Sequence, residues 1–337
     1  MHILEWLYHY GYRRKQRRVL EHQQRLPHPV ISVGNITVGG TGKTPVTIAL
    51  AEEARRRGHA PIILTRGYRG RAAGPCFVST GGGPLLTVLE AGDEPVLMAQ
   101  RLSGVPIVKS GDRYAGGRFV LDRLTETGYG EHDRCRLLFI LDDGFQHWRL
   151  ARDVDVVLID GSNPFGNRRL LPLGPLREPL AALHRADILV LTKSADEALI
   201  EELRRLNHEA EVHLATYQTD SLLSRDGTRH PVAGLDGKRI YAFSGIANPK
   251  DFRRTLAATG CSITRFKEYP DHYAYRQRDL FNLCRVAERD GCELLVTTEK
   301  DLVKCTAYQG SVPLVALTVS FRFDDRFFEN VFSRIPQ

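Results

Sequence analysis

Residues 30–44 (VISVGNITVGGTGKT) gather the groups that a phosphate site needs. Gly39, Gly40 and Gly42 let backbone N–H groups turn inward around phosphate oxygens, with Thr37 and Thr41 in the same loop. Lys43 is long enough to reach the β- and γ-phosphates, and the Thr44 hydroxyl can hold Mg²⁺. The apolar run 30–33 predicts a buried strand, and residues 45–57 predict a helix stopped by Gly58. Its N-terminus would add partial positive charge. Strand, glycine loop and helix in this order form a nucleoside triphosphate site. One position departs from the usual spacing: Thr37 stands where a glycine is common. A glycine-rich turn that only caps a helix is the plain alternative, but strand and helix flank the loop as the chemistry requires.

A second chemical feature is the apolar run 137–141, which ends in Asp142-Asp143. A strand closing on aspartate places a carboxylate beside Mg²⁺. Two adjacent aspartates are costly unless a cation neutralises them, and Mg²⁺ with Lys43 would do so. Gln146 and His147 follow, able to orient water or phosphate. Asp93, in GDEP at 92–95, has two readings: an ordinary helix N-cap, or a carboxylate near the γ-phosphate that accepts a hydroxyl proton. Arg66, Tyr68 and Arg69 sit on a loop after a predicted strand and suit a nucleotide or phosphosugar; a basic surface turn is the other reading. In GPLREP at 174–179, Arg177 can stabilise phosphoryl charge and Glu178 can bind Mg²⁺; a surface ion pair is the alternative. His272, within YPDHY at 269–273, can face a cleft, although a lone histidine is more often structural. TTEKD at 297–301 is a further polar cluster of open role.

The elements that must position these residues follow from apolar periodicity. Strands are predicted at 61–65, 105–109, 137–141, 154–159 and 188–191, and helices at 94–102 and 114–127. Residues 72–92 predict a loop or small hairpin. Buried strands alternating with helices give an α/β fold, a mostly parallel sheet covered on both faces, with ligands beyond the strands' carboxyl ends. Lys43, Arg66, Asp142 and Asp160 all fall there. The pattern breaks at 218–237, where Asp226-Gly227 reads as a hairpin turn. The predicted organisation is a P-loop core at 26–217, a hinge at 218–237 and a smaller C-terminal α/β domain at 238–337. That last domain has strands at 238–244, 294–297 and 313–318, and helices near 251–259 and 277–289.

With 337 residues, a net charge of +7 and a pI near 9.1, the chain favours anionic partners and more than one domain. Its six cysteines form no C-x-x-C pair, which argues against a zinc site or a disulfide framework. No apolar run reaches the roughly 18 residues of a membrane span. The N-terminus lacks the charge order and cleavage site of a secretory signal. Residues 1–25 stand out: Ile3, Leu4, Leu7 and Tyr8 recur at helical spacing beside Trp6, Tyr10 and Tyr12, followed by RRKQRR at 13–18. Such a segment suits a helix lying in a membrane interface, or equally one docked on the protein's own core. An RNA-binding arm is disfavoured because no recognised nucleic-acid module accompanies it.

Taken together, GNITVGGTGKTP (34–45), TRGYRG (65–70), GDEP (92–95), LDDGFQH (141–147), GPLREP (174–179), PDHY (270–273) and TTEKD (297–301) resemble the tetraacyldisaccharide 4′-kinase family, the lipid A 4′-kinases of Gram-negative bacteria. The family's P-loop also carries threonine in the first-glycine position, so Thr37 is no departure within it. The resemblance implies ATP- and Mg²⁺-dependent phosphorylation of the 4′-hydroxyl of a tetraacylated glucosamine disaccharide 1-phosphate. It implies a peripheral enzyme at the cytoplasmic face of the inner membrane, with no nucleic acid and no obligate protein partner. It implies Asp93 as catalytic base with His272 as its partner, and Asp142, Asp143 and Glu178 around Mg²⁺. A P-loop GTPase or partitioning-type ATPase switch is the rival reading. The guanine signature [NT]-K-x-D is met only by Thr192-Lys193-Ser194-Ala195-Asp196, one residue too long.

Overall fold

A computed structural model describes residues 2–194 and 196–336; Ala195 of the segment compared with the guanine signature lies outside them, as do the end residues of the two expected terminal segments. The chain opens with α1 (Ile3–Leu20), then β1 (Val30–Gly34), α2 (Lys43–Arg56), β2 (Ala60–Thr65), β3 (Cys76–Ser79), α3 (Val88–Ala91), α4 (Asp93–Arg101), β4 (Ile107–Lys109) and α5 (Arg113–Asp122). It continues with β5 (Leu137–Asp142), β6 (Val154–Asp160), β7 (Ile188–Thr192), α6 (Glu197–Leu206) and β8 (Glu211–Ser224). Then follow β9 (Arg229–His230), β10 (Arg239–Ser244), α7 (Pro249–Ala257), β11 (Ser262–Glu268), α8 (Gln277–Arg289), β12 (Leu294–Thr298), α9 (Glu299–Leu302), β13 (Leu314–Phe323) and α10 (Phe327–Ser333).

Two compact units result: residues 1–217 with 321–337, and residues 218–320. In the first, the strand order is β8-β7-β6-β1-β5-β2-β4-β3. All neighbours run parallel except β3, which pairs antiparallel with β4 at the edge. Every residue of β1, β2 and β5 is buried, as strands covered on both faces must be. One apolar layer holds Val30, Ile62, Leu64, Phe139 and Leu141; alternate residues face the other side, where α2 lies on β2 and β5. The register that matters pairs Val33 with Asp142. It sets the last residue of β5 beside the end of β1, where the glycine loop begins.

The second unit carries the parallel set β11-β10-β12-β13. Phe243, Leu280, Leu283 and Leu295 form a core on one side, and Ile240, Leu256, Val296 and Leu317 on the other.

Several predicted boundaries move. The helix expected over 114–127 stops at Asp122 and gives way to a 3₁₀ turn, Leu124–Glu126, where Thr125, Thr127 and Gly128 are weak helix formers. The stretch 72–92 holds a short edge strand and the one-turn α3. The Asp226-Gly227 turn is present, with Gly227 at φ 88° and Ser224 N–H donating to the Thr228 carbonyl. The segment expected as a hinge at 218–237 continues β8 as far as Ser224 and then forms that hairpin. The final helix belongs to the first unit because Phe327 packs edge-on against His213 of β8 and is fully buried. β11 escaped the sequence reading: it is an edge strand, polar and largely exposed, with no apolar run to mark it.

Candidate active site

The glycine loop is shaped by its neighbours. Gly42 sits at φ 88°, the left-handed region, and a Cβ there would lie 2.6 Å from the Phe321 ring and 2.8 Å from the Tyr217 hydroxyl. Only glycine fits, and the next residue, Lys43, begins α2. Lys43 Nζ donates to Asn35 Oδ1 at 3.2 Å and lies 3.5 Å from Asp143 Oδ1. The Thr41 hydroxyl is buried and lacks a hydrogen-bond partner among the described residues. An orphaned hydroxyl in a phosphate loop is the group a phosphate oxygen would satisfy. Asn35 Nδ2 donates to Thr37 Oγ1 at 3.3 Å, so the atypical threonine joins the loop's own hydrogen bonds.

At the end of β5 the two aspartates differ sharply. Asp142 is buried and accepts from Thr65 at 3.0 Å and Thr47 at 3.4 Å. Burial, with Glu94 and Asp143 adding negative charge nearby, raises its pKa to about 7. Asp143 turns the chain at φ 52°, and both its oxygens accept from Arg177 at 3.0 Å. Against the desolvation of burial, Lys43 and Arg177 pull its pKa down to about 2.

The turn bearing Arg177 is laid on the glycine loop. Arg177 N–H donates to the Ile36 carbonyl at 2.7 Å, and Val38 N–H to the Pro175 carbonyl at 2.8 Å. Gln146 ties this corner together: it accepts from Arg177 at 3.3 Å and donates to the Asn35 carbonyl at 2.8 Å and to Glu178 at 2.9 Å. Glu178 is fully buried and also accepts from Arg185 and from Tyr12 of α1, each at 2.7 Å. Glu178 is thus tied to protein donors, and no group of three metal-ligating side chains converges among the described residues.

His147 points elsewhere. Its Nε2 accepts from the Arg113 backbone at 3.2 Å, and burial with the adjacent Arg113 lowers its pKa to about 4. It is therefore a neutral strut rather than a cation for phosphate. Arg113 itself gives no signal in the sequence. It is buried, donates to the Ser110 carbonyl at 2.9 Å and is lowered to about 10 by burial. Asp142 and Asp143 oppose that shift, and Arg66 adds to it. Asn35, Thr47 and Arg113 are the supporting residues that sequence reasoning passed over; only Asn35 lies inside a motif, and nothing in the sequence marks it as the partner of Lys43.

Asp93 is not the N-cap. That position is Gly92, at φ 98°, and its Cβ would lie 2.6 Å from the Tyr68 carbonyl. Asp93 is buried in the first turn of α4, its Oδ1 accepting from Glu94 N–H at 3.0 Å. The neighbouring loop 66–70 runs on to Ala72, whose carbonyl Lys109 bonds at 2.9 Å together with that of Glu90 at 2.7 Å. Arg66, Tyr68 and Arg69 stay exposed on it, with Arg69 over the Tyr68 ring. The structure thus brings together Lys43, Asp142, Asp143, Gln146, Arg177 and Glu178, with Thr44 following Lys43 in the first turn of α2.

His272 belongs to the second unit. It adopts φ 58°, its N–H donates to the Gly245 carbonyl at 3.1 Å, and its Nε2 lies 3.3 Å from Lys300 Nζ. Gly245 N–H in turn donates to Asp301 at 2.9 Å, which gives TTEKD a role in holding this turn. Lys193 of the guanine-like segment is paired with Asp160.

The family profile for tetraacyldisaccharide-1-P 4′-kinase matches residues 1–336. A tetraacyldisaccharide 4′-kinase from Syntrophus aciditrophicus (strain SB) is 40% identical over 320 residues, covering 90% of this chain and 83% of the relative. One from Anaeromyxobacter sp. (strain K) is 42% identical over 289 residues, covering 83% and 73%. The crystal structure of LpxK from Aquifex aeolicus in complex with ATP superposes with a TM-score of 0.75 at 30% identity, covering 98% of this chain and 97% of that one. Agreement in sequence from end to end, and in fold over nearly all of both chains, means that this chain belongs to the tetraacyldisaccharide-1-P 4′-kinase family.

Proposed function

We propose that the protein transfers the γ-phosphoryl group of ATP to the 4′-hydroxyl of a tetraacylated glucosamine disaccharide 1-phosphate, the kinase step of lipid A assembly. The observation that carries this reading is the corner at the ends of β1 and β5. There a glycine loop with an unsatisfied Thr41 hydroxyl meets Lys43, Asp142, Asp143 and Arg177. The GTPase-like reading has no comparable support, since Lys193 is held by Asp160.

The loop's backbone and Lys43 bind the triphosphate, and Arg177 balances charge on the transferring group. Thr44, Asp142, Asp143 and Glu178 are the groups proposed to hold Mg²⁺, Glu178 from a side already tied to Tyr12 and Arg185. The donor set fits that ion, which is bound through one or two carboxylates plus substrate phosphates rather than in an all-protein cage. When bound, Mg²⁺ would neutralise charge that develops on the phosphate groups. Asp93 takes the proton of the attacking hydroxyl, and His272 is the other residue we assign to catalysis. Arg66, Tyr68 and Arg69 form the exposed contact for the anionic sugar. Gln146 and His147 stand beside the phosphate corner, His147 accepting from the Arg113 backbone.

The protein works at a lipid surface, the cytoplasmic face of the inner membrane, as a peripheral enzyme. Among the described residues no helix is long and apolar enough to cross a membrane. α1 nevertheless exposes Ile3, Leu4, Trp6, Leu7 and Tyr10 ahead of the basic run 13–18.

Incubation with γ-labelled ATP and the disaccharide precursor is expected to label the lipid. Lys43→Ala should lose that label, while Asp93→Asn and His272→Ala should lower kcat and leave ATP affinity near normal. Label appearing only as free phosphate would overturn the reading.

A further inference from the structure

The two faces of α1 have different business. Ile3, Leu4, Trp6, Leu7 and Tyr10 are exposed, with Trp6 and Tyr10 stacked at 5.6 Å between centroids. The opposite face, Glu5, Tyr8 and Tyr12, recurs at the spacing of one helix side and is turned into the protein. Glu5 is the buried residue of this helix and accepts from Leu170 N–H at 3.1 Å and Arg169 at 3.0 Å. The Tyr8 hydroxyl donates to the Arg177 carbonyl at 2.9 Å, and the Tyr12 hydroxyl donates to Glu178 Oε2 at 2.7 Å. The Tyr12 ring stands edge-on to Trp148 at 5.3 Å.

Both tyrosines therefore grip the same turn, 174–179, on the side away from the glycine loop. On its other side that turn is bonded to the Ile36 carbonyl and the Val38 N–H. The turn is held between the helix and the P-loop, and it carries the guanidinium that binds Asp143 beside Lys43. An anchoring helix needs apolar area and positive charge; it has no need of two tyrosine hydroxyls bonded to consecutive residues of the phosphate site.

We infer that Tyr8 and Tyr12 are positioning residues through which α1 fixes Arg177 and Glu178 against the P-loop, so that the helix assigned to the lipid surface is also a wall of the phosphate site. This rests on the proposed kinase reading and on α1 as the lipid-facing element. Removing the Tyr12 hydroxyl takes a charge-assisted hydrogen bond from a fully buried carboxylate and leaves the ring packed on Trp148. The resulting slack in Arg177 falls on transition-state charge, not on lipid binding.

The test uses the full chain with Tyr12→Phe and, separately, Tyr8→Phe. Three quantities are read: kcat with KM for ATP, co-sedimentation with phosphatidylglycerol–phosphatidylethanolamine vesicles, and melting temperature. The expected result is a kcat roughly ten-fold lower for Tyr12→Phe, the size of one lost hydrogen bond to a charged group, with KM for ATP and vesicle binding little changed. Tyr8→Phe should show the same split with a smaller fall. Full kcat in both variants overturns the inference, as does a fall in kcat matched by loss of vesicle binding, which would make the tyrosines part of the anchor alone. Leu7→Glu separates the underlying readings: vesicle binding that survives it sinks the lipid-facing assignment and leaves the tyrosine result intact. A parent protein that labels no lipid sinks the kinase reading by itself.

Discussion

Asp142 is the residue whose environment makes the clearest demand. Its pKa is raised to about 7 by burial and by the nearby Glu94 and Asp143, against an unfolded value near 3.8. The folded state therefore binds more protons than the unfolded state between those two pH values. Stability from this group is fully present below about 4 and is lost as pH rises to about 7. Asp143 works in the opposite sense: held near 2 by Lys43 and Arg177, it contributes stability above about 4 and loses it as pH falls to about 2. Asp142→Asn is thus expected to raise the melting temperature of the nucleotide-free protein at pH 8 and to change it little at pH 4, while abolishing phosphoryl transfer. Calorimetry at the two pH values checks this; equal shifts at both would mean that the carboxylate is not carrying a burial penalty. The same asymmetry explains why the sequence could name both aspartates yet not divide their labour. Adjacent identical residues carry no sign of which one turns inward, and the answer lies in Thr65, Thr47 and Arg177, brought in from three other elements.

At the scale of elements, the glycine loop was legible because its main constraint is local: Gly42 must be glycine for its φ of 88°, whereas the closeness of Phe321 could not be read from the sequence. Gly42→Ala is expected to cost ATP affinity by at least an order of magnitude, since the strain falls on the backbone that cradles phosphate; nucleotide titration by calorimetry measures it, and unchanged affinity would refute the argument. Buried strands were legible for a related reason, their apolar runs being continuous. What stayed hidden was whatever depends on a distant partner. Asp93 looked like a cap because Asp caps helices often, yet Gly92 takes that place under the Tyr68 carbonyl. His147 read as a group able to orient water or phosphate, or as a structural residue, and its contact with the Arg113 backbone could not be foreseen. α1 offered membrane docking or core docking as alternatives: Glu5, Tyr8 and Tyr12 turn into the protein, while Ile3, Leu4, Trp6 and Leu7 face out as the surface proposed to meet lipid. Trp6→Glu with Leu7→Glu should release the protein from vesicles while leaving nucleotide affinity intact, because neither side chain belongs to the inward face.

For the molecule as a whole, two separately cored units and a net charge of +7 are the relevant facts. Division into two units could be anticipated from length and from the broken pattern near 218, but not the return of the last segment to the first unit, which depends on aromatic contacts such as Phe327 on His213. The charge bears on how the enzyme finds lipid. An anionic surface attracts each nearby lysine or arginine by about 1 kcal/mol, and that attraction is screened within about 10 Å at 0.1 M salt and about 3 Å at 1 M. The run 13–18 puts five cations beside the apolar face of α1. Binding to phosphatidylglycerol vesicles should therefore weaken steeply as salt rises. Binding to neutral phosphatidylcholine vesicles should be weak and nearly independent of salt, because only apolar burial remains there. If charge only concentrates the enzyme at the surface, turnover on substrate in neutral detergent micelles should stay flat over the same salt range. Sedimentation and turnover measured side by side decide it. Salt-insensitive binding to anionic vesicles would assign docking to the apolar face alone, and turnover in micelles falling with salt would place the screened charges at the substrate site instead.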